Sequence, residues 1–174
     1  MFTTKVPTAP FSSFFFPQQV MLVAIAGNLL PMGYWTVISK EPFRFLICMG
    51  VGNHSLILLK KYKEAALHFM PWRERERVVA AGHLSGRDVN KAEKLGFTWL
   101  PASKLKHTNL VAEAEASFET VVNQEMLNLS REFSIFILDV VAVHGTLPPT
   151  QRQPIFYLSQ EDFATTGETW QYRK

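Results

Sequence analysis

At 174 residues, with 47% apolar and 19% charged residues and a formal charge of +3, the chain is long and apolar enough for one folded domain, and a disordered polyelectrolyte is excluded. Its single cysteine, Cys48, excludes an internal disulfide framework and a zinc site built mainly on thiolates, and it points to a reducing, cytoplasmic setting. Basic residues alternate with acidic ones, as in Arg73-Glu74-Arg75-Glu76-Arg77, which marks a solvated helix face rather than a nucleic-acid surface.

The most apolar stretch, residues 11–30, is cut by Pro17, Gln18 and Gln19. Its uninterrupted part, Val20 to Ala26, falls far short of the roughly 20 residues a membrane-spanning helix needs, so a buried strand is expected and no membrane association. Gly27-Asn28 ends that strand and a loop is expected across Pro31-Met32-Gly33. Tyr34 to Ser39 and Arg44 to Val51 have strand character with a turn at Lys40-Glu41-Pro42, and three strands in quick succession predict an antiparallel meander. Asn53 or Ser55 can cap a helix reaching Tyr62. Ala65 to Met70 reads as a strand and Glu74 to His83 as a helix. Asp88 is placed as the N-cap of a helix over Val89 to Leu95, with Gly96 closing it. Ala116 to Val122 and Phe133 to His144 read as strands. After Pro148, Pro149 and Pro154, β-compatible sequence returns at Ile155 to Leu158 and Phe163 to Thr166. Many strands with few short helices favour a mainly β, closed or split barrel over a doubly wound fold.

No GxGxxG, GxxxxGK[ST], GxSxG or HExxH pattern occurs, so a Rossmann dinucleotide domain, a P-loop, a hydrolase elbow and a zincin are unsupported. The histidines at 54, 68, 83, 107 and 144 lack metal-ligand spacing. Small and hydroxyl-bearing groups do gather at strand ends: Asn28 and Gly33, Thr36 and Ser39, and Gly50 through Asn53, His54 and Ser55. Such loops offer the N–H and hydroxyl donors a phosphate needs, and they also serve as ordinary turns.

Three ordered blocks carry a resemblance. GNLLPMGYWTVISKEPFRFLICMGVGNHS (27–55), SGRDVNK (85–91) and FATTGETW (163–170) resemble the flavin reductase-like family of FMN-binding split barrels, flavoredoxin-type members included. The likeness covers about residues 18 to 170. It implies a single domain over 1–174, a Greek-key split barrel with short peripheral helices, and N- and C-terminal segments (1–17 and 150–174) packing on the barrel or on a dimer partner. It further implies bound FMN, with Asn28 and Trp35 near the isoalloxazine and ribityl part and Thr36, Val37 and Ser39 lining it through backbone groups. Asn53, His54 and Ser55, following Gly50, would meet the phosphate. Ser85, Gly86 and Arg87 would clamp it, Lys91 would add charge, and Phe163 would cover the ring. Each position also has a plain structural reading: Trp35 as core, Arg87 as part of a cap with Asp88, Lys91 as a surface lysine. The sequence departs from the family in having one proline in the Lys40-Glu41-Pro42-Phe43 turn, and Ser159-Gln160-Glu161-Asp162 where tandem glycines are common.

The resemblance implies an NAD(P)H-dependent flavin oxidoreductase working as a homodimer, with NADH or NADPH as electron donor. The alternative is a flavoredoxin-type carrier whose FMN is reduced and oxidised by redox proteins. A third reading, from a different class, is a flavin-free basic barrel that binds nucleic acid or protein. No catalytic residue is assigned; His83 and His144 are polar groups near element ends for which a satisfied structural role is the stronger expectation.

Overall fold

The computed structural model describes residues 17–126, 130–145, 152–158 and 162–167. A short β1 (Gln18–Gln19) leads into β2 (Met21–Ile25), in which every residue is buried. Successive strand side chains point to opposite faces, so β2 feeds two cores at once. Met21, Val23 and Ile25 join Phe45, Ile47, Met49, Phe136 and Leu138 inside the sheet's curl. Leu22 and Ala24 join Val78, Ala81, Ala92, Phe97 and Ile155 on the other side. A strand covered on both faces reads as a continuous apolar run, as Val20 to Ala26 does.

β3 (Asn28–Met32) follows β2 through a two-residue hairpin whose central residues, Ala26 and Gly27, both have positive φ (46° and 83°). The loop expected across Pro31-Met32-Gly33 is therefore mostly strand. Pro31 is tolerated because β3 is an edge strand, where a missing N–H leaves no ladder bond unmade. The chain continues as β4 (Trp35–Lys40), β5 (Phe43–Gly50), α1 (His54–Tyr62) and β6 (Glu64–Phe69). After one 3₁₀ turn (Trp72–Glu74) come α2 (Arg75–His83), α3 (Lys91–Leu95), β7 (Trp99–Leu100) and β8 (Leu110–Val111). The long pair β9 (Ala116–Met126) and β10 (Phe133–Gly145) precedes the short β11 (Phe156–Tyr157) and β12 (Phe163–Ala164).

Across the main sheet the order is β3-β2-β6-β9-β10-β5-β4, antiparallel throughout. This corrects the expected meander: β2 and β4 are not neighbours, because β6, β9 and β10 stand between the two local hairpins. Sequence proximity favours neighbouring strands, but β2 needs a partner on each side, and β6 supplies the second. β3 and β4 occupy opposite edges, yet only Gly33 and Tyr34 separate them. So short a link can join the two edges only if the sheet curls until they meet, which makes it a split barrel. α1 fills the curl with Leu56 and Leu59, while α2, α3 and the 97–115 segment cover the outer core.

The N-cap of α3 also differs from expectation. Asn90 accepts a hydrogen bond from the Glu93 backbone N–H at 3.3 Å, whereas Asp88 lies in the preceding turn, its own N–H bonded to the Ser85 carbonyl at 3.1 Å. Gly96 closes α3 at φ 72°, as a left-handed C-cap requires. The described part of the C-terminal tail lies on the barrel: β11 pairs with β1, Pro154 with Pro71, and the Trp72 N–H donates to the Gln153 carbonyl at 2.8 Å. Under the outer core, His68 is fully buried. Its Nε2 accepts from the Val111 N–H at 3.0 Å, so Nδ1 carries the proton donated to the Leu22 carbonyl at 2.9 Å. Burial pushes its pKa down to about 4, and the ring is a neutral tie between β2, β6 and β8.

Candidate functional site

Three segments meet at the Asn28 end of the sheet: the β2–β3 hairpin, the N-terminus of α1, and the 84–90 loop between α2 and α3. They enclose a hollow of about 200 Å³ lined by Asn28, Leu30, Gly52, Asn53, His54, Ser55, Leu84, Ser85, Gly86, Arg87 and Lys91. A neighbouring hollow of about 430 Å³ shares Asn28, His54, Gly86 and Arg87 and extends over Ala26 and Gly27.

The carboxamide of Asn28 is the hub. Its Nδ2 donates to Ser55 Oγ at 2.8 Å, which leaves Oδ1 buried and without a partner among the described residues. Nδ1 of His54 is likewise buried and has no partner among the described residues. A buried polar atom lacking a hydrogen bond carries an unrecovered desolvation cost of about 1–3 kcal/mol, which a bound ligand can recover. Gly86 presses its backbone against the same carboxamide: a methyl group there would collide with Oδ1 and lie 3.0 Å from Nδ2. Ser85 shapes the loop by accepting the Arg87 N–H at 3.2 Å.

The charged side chains lining the smaller hollow, Arg87 and Lys91, are both cationic, while Asp88 lines the neighbouring one. Lys91 is only 4% exposed, and its Nζ donates to the Leu29 carbonyl at 2.7 Å and to the Ala81 carbonyl at 2.8 Å. An ammonium has three donors, so one remains. Burial lowers the lysine pKa, and Lys91 forms no ion pair with a described carboxylate. A buried cation without a counter-charge favours an incoming anion. Arg87, also on the rim, is exposed. α1 points its N-terminus at the same place, and Asn53, its N-cap residue, makes no side-chain cap bond; the Leu56 N–H donates to the Asn53 carbonyl at 3.1 Å, which leaves the His54 and Ser55 N–H groups as those a bound anion would meet.

The walls continue. Leu30 gives way along β3 to Pro31, Met32, Gly33 and Tyr34, and Leu84 gives way along α2 to His83 and Gly82. With Val20, Val78, Val79, Tyr157 and Phe163 these residues line an apolar hollow of about 340 Å³. Helix and strand approach closely there because residue 82 is glycine; a Cβ would lie 3.1 Å from Pro31 Cγ. The two hollows share no lining residue but adjoin where Leu30 meets Pro31 and His83 meets Leu84; taken together they are termed the trough, polar and cationic at the Asn28 end and apolar at the Phe163 end.

The structure thus brings Asn28, Asn53, His54, Ser55, Ser85, Gly86, Arg87 and Lys91 together, and it places Phe163 at the far end of the trough. Gly50 stands just behind, its carbonyl accepting the Asn53 N–H at 3.0 Å. The β4 residues are elsewhere. Trp35 packs edge-on against Phe45 and Phe69 and donates its indole N–H to the Gln19 carbonyl at 2.7 Å, while Thr36, Val37 and Ser39 line none of these hollows. His144 is engaged structurally with Glu119 at 2.7 Å. His83, by contrast, lines the trough. Sequence reasoning missed the Leu30 to Met32 wall, Gly82, Leu84 and Tyr157. The readable signal was Gly82 itself, since a glycine inside a helical pattern marks a close approach.

A family model described as flavin reductase like domain matches residues 12–166. The chain belongs to that family. Among solved structures, this flavin reductase-like chain is similar to the FMN-binding protein from Thermus thermophilus with bound p-hydroxybenzaldehyde, at TM-score 0.85 and 18% identity over 98% of this chain and 100% of that one. It is similar also to flavoredoxin from Methanosarcina acetivorans (0.83, 14%, 99% and 95%) and to the Streptomyces globisporus NADH:FAD oxidoreductase (0.73, 19%, 88% and 88%). At these identities the likeness is one of fold. No curated protein sequence matches the chain. No helix among the described residues is long and apolar enough to cross a membrane.

Proposed function

We propose that this flavin reductase-like chain binds FMN in the trough, phosphate at the Asn28 end and ring system toward Phe163, and works as an NAD(P)H-dependent oxidoreductase. The observation that carries the reading is the buried ammonium of Lys91, which has no carboxylate partner among the described residues, beside Asn28 Oδ1 and His54 Nδ1, which have no hydrogen-bond partner among them, next to an adjoining apolar hollow. These residues fit the group. Lys91, Arg87 and the α1 N–H groups would hold the phosphate, Asn28 would offer Oδ1 to a ribityl hydroxyl, and Gly86 would let the loop close over it. When bound, FMN supplies reversible two-electron redox chemistry. The protein orients it, and the apolar lining from Pro31 to Tyr34 with Tyr157 and Phe163 limits water on the ring side.

Two features support a homodimer in the cytoplasm as the working form. One is the single, half-buried cysteine. The other is a row on β5 and β10, Leu46, Cys48, Ile135 and Ile137, that is half-buried between buried neighbours and lies close to the exposed Val37 and Ile38 of β4. A flavoredoxin-type carrier would use the same trough, and one experiment separates the two. FMN-loaded protein is mixed anaerobically with NADH or NADPH while the visible flavin absorbance is followed, and the oligomeric state of the same sample is read by sedimentation. Bleaching by either nucleotide, in a dimer, is the expected result. A flavin reducible by dithionite but not by either nucleotide would assign the carrier role, and a monomer would remove the dimer.

A further inference from the structure

The hairpin that presents Asn28 is held from outside the site. At Ala26, φ is 46°, a left-handed conformation that L residues rarely adopt and that two-residue hairpins usually give to asparagine, aspartate or glycine. Asn28 is the first residue after that turn, and Ile25 pairs with it across the turn. The Ala26 N–H donates to Oγ1 of Thr108 at 3.1 Å, across 82 residues of chain. Thr108 is 2% exposed and touches none of the hollows described above.

Thr108 is fixed in turn by an unusual arrangement. The 101–109 segment has no regular structure, yet five consecutive backbone N–H groups, from Ser103 to His107, all donate to two buried carboxylates. Glu119 on β9 accepts from Ser103 (2.7 Å), Lys104 (2.6 Å) and Leu105 (3.1 Å), and from the Ser103 hydroxyl (2.8 Å). Glu64 on β6 accepts from Lys106 (3.1 Å) and His107 (2.6 Å). The carboxylates sit on one face of adjacent strands, where Ala66 pairs with Glu119 and Glu64 lies two residues away. A segment without internal ladder bonds is thereby as fixed as the sheet beneath it, and Thr108 is its last residue but one.

We infer that Thr108 is a positioning residue for the flavin site: through Ala26 it holds the left-handed turn that aims the Asn28 carboxamide at Ser55 and Gly86. The inference rests on the FMN reading for its functional consequence, but not for its structural one. Lost positioning acts on the ligand through Asn28, so it weakens binding more than it weakens the fold.

The test compares Thr108→Val, which keeps shape and removes the acceptor, with Thr108→Ser, which restores it. Three readouts are taken: FMN affinity by quenching of flavin fluorescence, thermal unfolding of the flavin-free protein, and NMR signals of the Ala26 N–H and the Asn28 side-chain amide without flavin. Thr108→Val is expected to weaken FMN about tenfold, to speed hydrogen exchange at Ala26 and to shift the Asn28 amide signals, with Thr108→Ser close to wild type on all three. Unchanged Ala26 exchange and Asn28 signals in Thr108→Val would overturn the inference. So would a serine variant that fails to restore them. If the wild-type protein fails to bind FMN, the flavin reading falls, and the NMR comparison alone still decides whether Thr108 holds the turn.

Discussion

Replacing Gly86 by alanine is expected to weaken FMN binding by about 100-fold, because a displacement of the order of 1 Å in a positioning group suffices for that loss. The added methyl would collide with Asn28 Oδ1. Asn28 has little room to yield, being 7% exposed and tied through Nδ2 to Ser55 at 2.8 Å. The 84–90 loop must therefore lift, and Ser85 and Arg87 move with it. No positive φ is required at Gly86, so the effect is steric and stays local. Thermal unfolding should shift by only a few degrees, equivalent to about 1 kcal/mol. Fluorescence titration with FMN checks the affinity. Wild-type affinity in Gly86→Ala would remove the loop from the site.

The largest effect on stability is expected at Glu119. Burial alone would raise the pKa of this fully enclosed carboxyl, but hydrogen bonds from the Ser103 backbone and hydroxyl, from Lys104 and from His144 outweigh it and hold the value at about 2. An unfolded chain would titrate near 4.5, so the folded state binds the proton less readily. The resulting stabilisation is complete above pH 4.5 and is lost as pH falls toward 2; it amounts to about 3 kcal/mol. Glu119→Gln keeps the shape but places an amide nitrogen where a carboxylate oxygen received donors. A loss of about 3 kcal/mol at neutral pH is expected, with a flatter decline in acid than wild type shows. Denaturant unfolding across that pH range measures both. Equal stability of the two proteins at neutral pH would show that Glu119 does not hold the 101–109 segment.

The strands were legible because apolar runs announce them: Val20 to Ala26 contains the strand Met21–Ile25, Arg44 to Val51 covers the strand Phe43–Gly50 but for Phe43, and Phe133 to His144 lies wholly in the sheet. Their order was not, since nothing local in β2 says that its second neighbour is β6 rather than β4. That choice is made by two-sided burial and long-range pairing. β3 was hidden by Pro31, which punctuates most strands and is permitted here only by the edge position.

In the candidate site, GVGNHS was readable as a donor-rich loop from its small and polar residues, whereas SGRDVNK is assigned to the site only through its resemblance to the family. Lys91 is assigned to the site by the resemblance alone, since its sequence neighbours suggest a surface lysine. Its burial, with no acidic partner among the described residues, appears only when β3, α2 and α3 converge on it. Thr108 and the two carboxylates that fix its segment were invisible for a similar reason: Glu64 and Glu119 sit in strands where alternation predicts an outward, solvated side chain, and only the covering 97–115 segment turns that face into an interior.

The central claim is that a phosphate anchors the flavin at Lys91, Arg87 and the N-terminus of α1. Parallel titrations of the flavin-free protein with FMN and with riboflavin, which lacks the phosphate, test it most directly. One FMN per chain is expected, bound about 100-fold more tightly than riboflavin, as two or more charge-assisted hydrogen bonds to the phosphate imply. Equal affinity for the two flavins, or binding of neither, would contradict it.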